Sequence, residues 1–283
     1  MSVTPADYLY VQQVVREQAS IILSATQQYL VDQRLLPVAR AEGLSSVDEF
    51  IRKTKSDSSG RLRKLLVEAL CTNETSFFRD QNVYDALKAS VIPDLIRARS
   101  QSRTLRIWSA ACSTGQEPYT LAIMLRRDFP LLATWDIKIY ATDLSGAVVA
   151  QARSGRYSAN EVRRGLSPDV LASAFTQVGD EYELKKEYRS LVSFSELNLT
   201  AAWPIAEPID LIMIRNVLIY FSAEVKRDIL TRACKKLRAD GCLFLGTTET
   251  PAAGLEDLMP VWLKDVIAYR HRHPQAQPTR SGP

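Results

Sequence analysis

The stretch LRIWSAACSTGQEPYTLAI, residues 105–123, changes character twice. Leu105-Arg106-Ile107-Trp108 reads as a short, mostly apolar strand. A run of small residues ending in Gly115 follows, and Pro118 then opens a helix over residues 119–127. Strand, tight loop and helix form the opening unit of an α/β fold. Small residues and a glycine at that junction let the backbone approach a ligand closely where helix N–H groups are free. A G-x-G-x-x-G phosphate fingerprint is absent, which disfavours a dinucleotide.

The alternation continues downstream. Residues 136–141 read as a second strand followed by a helix over 147–153, and residues 191–194 and 209–214 as a third and fourth strand. A helix over 223–237, stopped by Gly241, precedes strands at 242–245 and 265–269. The fold class is therefore α/β, a mostly parallel sheet covered by helices on both faces. Ligands in such sheets lie beyond the carboxyl ends of the strands. The second strand ends in Ala141-Thr142-Asp143. Asp143 reads equally well as a cap for the helical segment after it or as an acceptor for two ribose hydroxyls. Loop and acid together suit a nucleoside without a pyrophosphate, which describes S-adenosylmethionine better than NAD.

Two regions depart from the alternation. Within residues 155–190, Ser167-Pro168-Asp169 starts a short helix and GDEYELKKEYR reads as a small hairpin. Upstream of about residue 75 the chain reads as helices alone. Thr4-Pro5 marks one helix start, and Ser46 with Glu49 forms a capping box. Leu62, Leu65, Leu66, Ala69 and Leu70 make one apolar stripe.

Composition bounds the function. Hydrophobic residues are 46% and charged residues 24% of the 283, as in a globular protein, and no apolar run reaches the length of a membrane span. The N-terminus lacks the features of a secretory signal. Four cysteines without CxxC spacing and two histidines disfavour zinc or a disulfide framework, so no metal and a cytoplasmic location are expected. A net charge of +4 is too mild to imply nucleic acid. Arg52, Lys53, Lys55, Arg61, Arg63 and Lys64 nevertheless cluster against a single Asp57. That cluster reads first as a solvated helix face and second as a patch that steers an acidic partner.

Four blocks carry a specific resemblance. Asn73-Glu74-Thr75-Ser76-Phe77-Phe78-Arg79-Asp80 closely resembles the N-x-T-x-F-F-R signature of CheR methyltransferases. The stretch from Trp108 to Tyr119, Ala141-Thr142-Asp143, and Ile214-Arg215-Asn216-Val217-Leu218-Ile219-Tyr220-Phe221 resemble further blocks of that family, in the family's order. Weaker similarity extends from about residue 20 to residue 270. The resemblance implies a Rossmann-like S-adenosylmethionine-dependent methyltransferase domain over residues 79–271. A helical domain over 1–78 would precede it and a β-subdomain insert would lie at about 175–194. Apart from the resemblance, the stretch 272–283, with three prolines and almost nothing apolar, reads as a disordered tail. The resemblance also implies methyl esterification of glutamate side chains on chemoreceptor helical bundles, yielding S-adenosylhomocysteine. Neither nucleic acid nor membrane insertion would be involved, and a monomer is expected.

Site roles follow from the matching motifs. Asn73 and Thr75 would line the cofactor pocket, Glu117 would receive the methionine ammonium and Asp143 the ribose. Asn198-Leu199 resembles the family's pair beside the adenine, while Asn198 alone reads as a turn residue. Arg215 and Asn216 would face the cofactor. Arg79, by the methionine end, would orient the substrate carboxylate, and Tyr220 would lie near the reacting sulfonium. Two departures stand out. Gly246-Thr247-Thr248-Glu249 replaces the family's G-H-S-E, and the insert around Thr176–Tyr182 is several residues shorter than in relatives that dock a receptor's C-terminal pentapeptide. Independence from such a tether is therefore expected.

Rival readings differ in class. A DNA methyltransferase would need an N/D-P-P-Y/F motif, which is absent. A non-catalytic cofactor-binding scaffold is disfavoured by the intact motif set. A CheR-like enzyme of a non-flagellar chemosensory system has the same sequence signature.

Overall fold

A computed structural model describes residues 3–251 and 255–272. Ten strands are present among them: β1 (Thr104–Ala110), β2 (Asp136–Asp143), β3 (Arg156–Ser158), β4 (Phe175–Val178), β5 (Glu181–Leu184), β6 (Val192–Glu196), β7 (Ile209–Ile214), β8 (Leu237–Leu245), β9 (Leu258–Leu263) and β10 (Val266–His271). Seven form one sheet in the order β6-β2-β1-β7-β8-β10-β9. The first five of that order run parallel, and β10 is antiparallel to both β8 and β9. Strand order reverses between β1 and β7, which opens a crevice at their carboxyl ends.

Alternation along each strand builds two cores. Leu105, Ile107, Leu211, Met213, Cys242 and Phe244 face one layer, which holds the helices Gln116–Asp128 and Gly146–Ser154. Trp108, Ala110, Ile212, Ile214, Leu243 and Leu245 face the other, covered by the helix Ala223–Lys236. Each fully buried Leu or Ile contributes roughly 2 kcal/mol. A third core belongs to the helices Pro5–Ala19, Gln28–Ala41, Val47–Ser56 and Arg61–Leu70, where Val11, Leu35, Phe50 and Leu66 are wholly buried.

Several sequence expectations shift. Thr4 caps its helix as expected, its side chain accepting from the Asp7 N–H at 3.2 Å. The capping box is half formed: Ser46 accepts from the Glu49 N–H, but the Glu49 carboxylate accepts from Ser45 instead. Gly241 does not stop a helix. The helix ends at Lys236, and Gly241 lies within β8, where a Cβ would stand 3.0 Å from the Asp210 carbonyl oxygen. The expected hairpin is displaced: β4 and β5 pair through Gly179-Asp180, and Lys186–Arg189 is a helical turn. This hairpin and β3 form a separate three-stranded sheet. Of the expected tail, only Arg272 lies within the described residues, and its N–H donates to the Asp257 carbonyl.

The helical segment between Gln81 and Ala98 was not expected from the sequence. It runs through a wider π-type turn at Leu87–Val91 just before Pro93. Proline lacks the N–H and crowds the carbonyl one turn back, so the turn loosens there.

Candidate active-site cleft

One cleft of about 1260 Å³, mouth included, lies at the carboxyl ends of β1, β2 and β7. All ten expected site residues line it: Asn73, Thr75, Arg79, Glu117, Asp143, Asn198, Leu199, Arg215, Asn216 and Tyr220.

The loop after β1 is shaped by unusual backbone. Ala111, Ser113 and Gly115 take φ of 54°, 50° and 93°, and Phe78, Asp80 and Asn216 are also left-handed. Such residues cluster where surrounding structure holds them against their preference. Gly115 has a different reason from the one its sequence suggested. A Cβ there would lie 2.9 Å from the Ala152 Cβ and 3.1 Å from the Tyr157 hydroxyl, so protein side chains already exclude it.

Asp143 ends β2 and is buried. Its Oδ2 accepts from the Ser113 N–H at 2.8 Å and its Oδ1 from the Ser145 N–H at 3.1 Å. Ser145, not Asp143, caps the following helix, accepting from the Val148 N–H. Burial raises the Asp143 pKa, while the N–H groups of Ser145, Ser113 and Leu144 oppose that rise. Each oxygen retains a lone pair for a further donor.

Glu117 is held from two sides. Its Oε1 accepts from the Ser109 hydroxyl at 2.7 Å and its Oε2 from Arg215 Nη1 at 2.9 Å. Arg215 also donates to the Asp80 carboxylate at 2.6 Å and to the Arg79 carbonyl at 2.9 Å. Its side chain is 1% exposed, so Arg215 acts on the cleft mainly through these carboxylates. Arg79 is half-buried, with Nη1 donating to the Glu74 carbonyl at 2.7 Å. Asn198 behaves as the turn residue its type suggests. Its Oδ1 accepts from the Thr200 N–H and its Nδ2 donates to the Gln18 carbonyl at 2.7 Å.

Sequence motifs gave no sign of the cleft's other wall. Ile21, Ile22, Leu23, Leu30 and Arg34 come from the N-terminal helical region. The Ile22 N–H donates to the Tyr220 carbonyl at 3.0 Å, and Arg34 donates to the Leu70 carbonyl at 2.8 Å, bracing the connection that carries Asn73. The cleft also holds Cys71 and Cys112. Burial, with Asp143 and Glu68 nearby, pushes the Cys71 thiol up to about 12. Burial and the same aspartate hold Cys112 well above its ordinary value. Neither supplies a thiolate nucleophile at neutral pH. Among the described residues no cluster of three or more His, Cys, Asp or Glu is placed to hold a metal, and no helix is long and apolar enough to cross a membrane.

The donor set fits S-adenosylmethionine. A buried carboxylate with free lone pairs suits a ribose diol, a second carboxylate suits an ammonium, and the pocket offers no glycine-rich pyrophosphate cradle. Comparisons with known proteins agree. Residues 73–261 match the CheR methyltransferase, SAM binding domain, and residues 6–71 match the CheR methyltransferase, all-alpha domain. The chain is 41% identical over 254 residues to chemotaxis protein methyltransferase 1 of Pseudomonas aeruginosa, covering 88% of this chain and 92% of the relative. It is 37% identical to chemotaxis protein methyltransferase Cher2 of Pseudomonas putida, with the same coverage. To the chemotaxis protein methyltransferase of Vibrio parahaemolyticus it is 33% identical, covering 91% of this chain and 93% of the relative. With a Rossmann-like sheet, a helical N-terminal region and a cleft whose donors suit S-adenosylmethionine, the chain belongs to the CheR family of chemotaxis protein methyltransferases.

Proposed function

We propose that the chain esterifies glutamate side chains on the cytoplasmic helical bundle of chemoreceptors. The observation that carries this reading is the convergence of all ten motif residues on one cleft. A glutamate has an ordinary pKa of about 4.3, so it reaches the site already ionised at neutral pH and needs no strong base. When bound, S-adenosylmethionine supplies an electrophilic methyl on a sulfonium. The protein's task is to place a carboxylate oxygen in line at roughly 3 Å and to strip its water. Arg79, with guanidinium donors left after its bond to Glu74, orients that carboxylate. Glu117 and Asp143 fix the two ends of the donor, Asn73, Thr75, Leu199 and Asn216 shape its pocket, and Tyr220 borders the reacting centre. Labelled methyl transfer to a panel of receptor cytoplasmic fragments tests the reading. Base-labile label on glutamates is expected, and base-stable label or none would reject it.

Docking on the receptor is assigned to the basic face rather than to a tether. Arg52, Lys53 and Arg63 stand outside every ion pair among the described residues, whereas Lys55, Arg61 and Lys64 pair with Asp7, Glu42 and Glu196. The β4–β5 turn has only Gly179 and Asp180 between its strands, which leaves little loop to grip a peptide. Calorimetry with a receptor-tail pentapeptide is expected to show no saturable heat. Tight stoichiometric binding would sink tether independence.

A further inference from the structure

The segment Gly246-Thr247-Thr248-Glu249 follows β8 and does not line the cleft. Its glutamate is nevertheless buried, at 7% exposure. Main-chain donors from two loops converge on that carboxylate. The N–H groups of Gly246 and Asn216 donate to Oε2 at 2.7 and 2.8 Å, and the Ile219 N–H donates to Oε1 at 3.2 Å.

Each donor needs this partner for a local reason. Asn216 takes φ of 60°, a conformation that few non-glycine residues hold without support. Ile219 lies in the single turn Leu218–Tyr220, whose first N–H groups have no acceptor within the turn. Gly246 sits so close that a Cβ would stand 2.6 Å from Glu249 Oε2 and 2.8 Å from the Asn216 nitrogen. β7 and β8 are neighbours whose last register pair is Ile214 with Leu245, so the carboxylate bridges the gap just beyond both strands. The loop it holds brings Asn216 and Tyr220 to the cleft, and the Tyr220 carbonyl in turn accepts from Ile22.

We infer that Glu249 is a positioning residue for methyl transfer, fixing the 216–220 loop so that Asn216 and Tyr220 are presented to the cleft. The inference rests on the methyl-transfer reading above. A glutamine cannot replace the carboxylate: it has one acceptor oxygen, and its NH₂ would face either Ile219 or the Asn216 and Gly246 pair, donor against donor. An aspartate keeps the charge but is one methylene shorter.

A double-mutant cycle in the full chain tests this, using Glu249→Gln, Tyr220→Ala and both together. Turnover is measured on a receptor fragment, and amide hydrogen exchange is followed in parallel. Glu249→Gln is expected to lower kcat by about tenfold with KM for the methyl donor within about threefold. On the Tyr220→Ala background the same change should lower kcat by clearly less than in the wild type, because one of the two side chains it positions is gone. Amides of Asn216 and Ile219 should exchange at least about tenfold faster while those of β1 and β2 are unchanged. A Glu249→Gln enzyme that melts earlier but turns over normally overturns the assignment, as does an equal loss in both backgrounds. If that variant does not fold, Glu249→Asp enters the same cycle with the same criteria, and failure of both to fold makes Glu249 a purely structural residue. A wild-type chain that methylates no receptor fragment defeats the methyl-transfer reading, and the exchange rates then still decide whether Glu249 holds the loop.

Discussion

Asp143 is a carboxylate whose surroundings pull in opposite directions. Burial raises its pKa and three backbone N–H groups oppose the rise, leaving it above the ordinary aspartate value. A raised pKa means that folding favours the protonated form, so this group's contribution to stability is fully present at low pH and is lost as pH rises through the folded value. Cofactor binding has the opposite sign, because only the ionised form offers both oxygens to a diol. Affinity for S-adenosylhomocysteine should therefore fall on acidification, starting at a higher pH than an ordinary aspartate would give. In calorimetry Asp143→Asn should bind at least about tenfold more weakly, since a bond to a charged acceptor contributes roughly 1.5–3 kcal/mol. Its affinity should also be flat where the wild type's declines, and a flat wild-type profile would contradict this account. Arg79 is a simpler case. Removing a group that orients the nucleophile should lower turnover by about 100-fold or more in Arg79→Ala while the melting curve is unchanged. Near-normal turnover would remove Arg79 from that role.

Among the elements, the loop between β1 and the helix Gln116–Asp128 is the most constrained. Gly115→Ala combines a left-handed φ with contacts at 2.9 and 3.1 Å, and should destabilise by about 2 kcal/mol or more in urea titration. An unchanged midpoint would mean that Ala152 and Tyr157 yield more easily than their burial suggests. This loop also shows what could be read from sequence. Its strand, small residues and helix were legible because each follows from local residue choice. β9 was missed because Pro260 interrupts it and its residues show no apolar–polar alternation, the exposure of Met259 and Trp262 being a property of its edge position. Gly241 was misread because the crowding that demands a bare backbone there, from Leu237 and the Arg238 and Asp210 carbonyls, exists only once β8 is folded against β7. The site divides the same way. Motif residues announce themselves in runs such as Ile214 to Phe221, whereas Ile22 acts across a long stretch of chain with no local mark, and Glu249 shows only as the end of an altered motif whose partners at 216 and 219 are not visible from it.

At the scale of the whole molecule, the helical region is joined to the sheet by contacts that surround the cleft. Glu68 accepts from the Ser145 hydroxyl at 3.1 Å and the Gly146 N–H at 3.3 Å, Lys64 pairs with Glu196 at 2.6 Å, and Asn198 reaches Gln18. The same region carries Arg52 and Lys53 exposed and Arg63 half-buried, none of them in a close ion pair among the described residues, with Asp7, Glu42 and Glu49 within electrostatic reach of the first two. Receptor binding should weaken steeply with salt, since exposed charges are screened over a Debye length of about 8–10 Å. Reversing the three charges to glutamate should remove most of that dependence while leaving cofactor binding intact. Binding that ignores both salt and reversal would place the docking face elsewhere.

The wall formed by Ile21, Ile22 and Leu23 has one more consequence. It meets the opposite wall through the Ile22–Tyr220 hydrogen bond and a backbone bridge between Ile21 and Phe221. A molecule seated in the cleft touches both folding units at once and so acts as a fastener between them. By mass action, the energy that holds it in place also opposes their separation. Melting of the two units should then merge toward a single transition as occupancy rises, making thermal cooperativity a gauge of how full the cleft is.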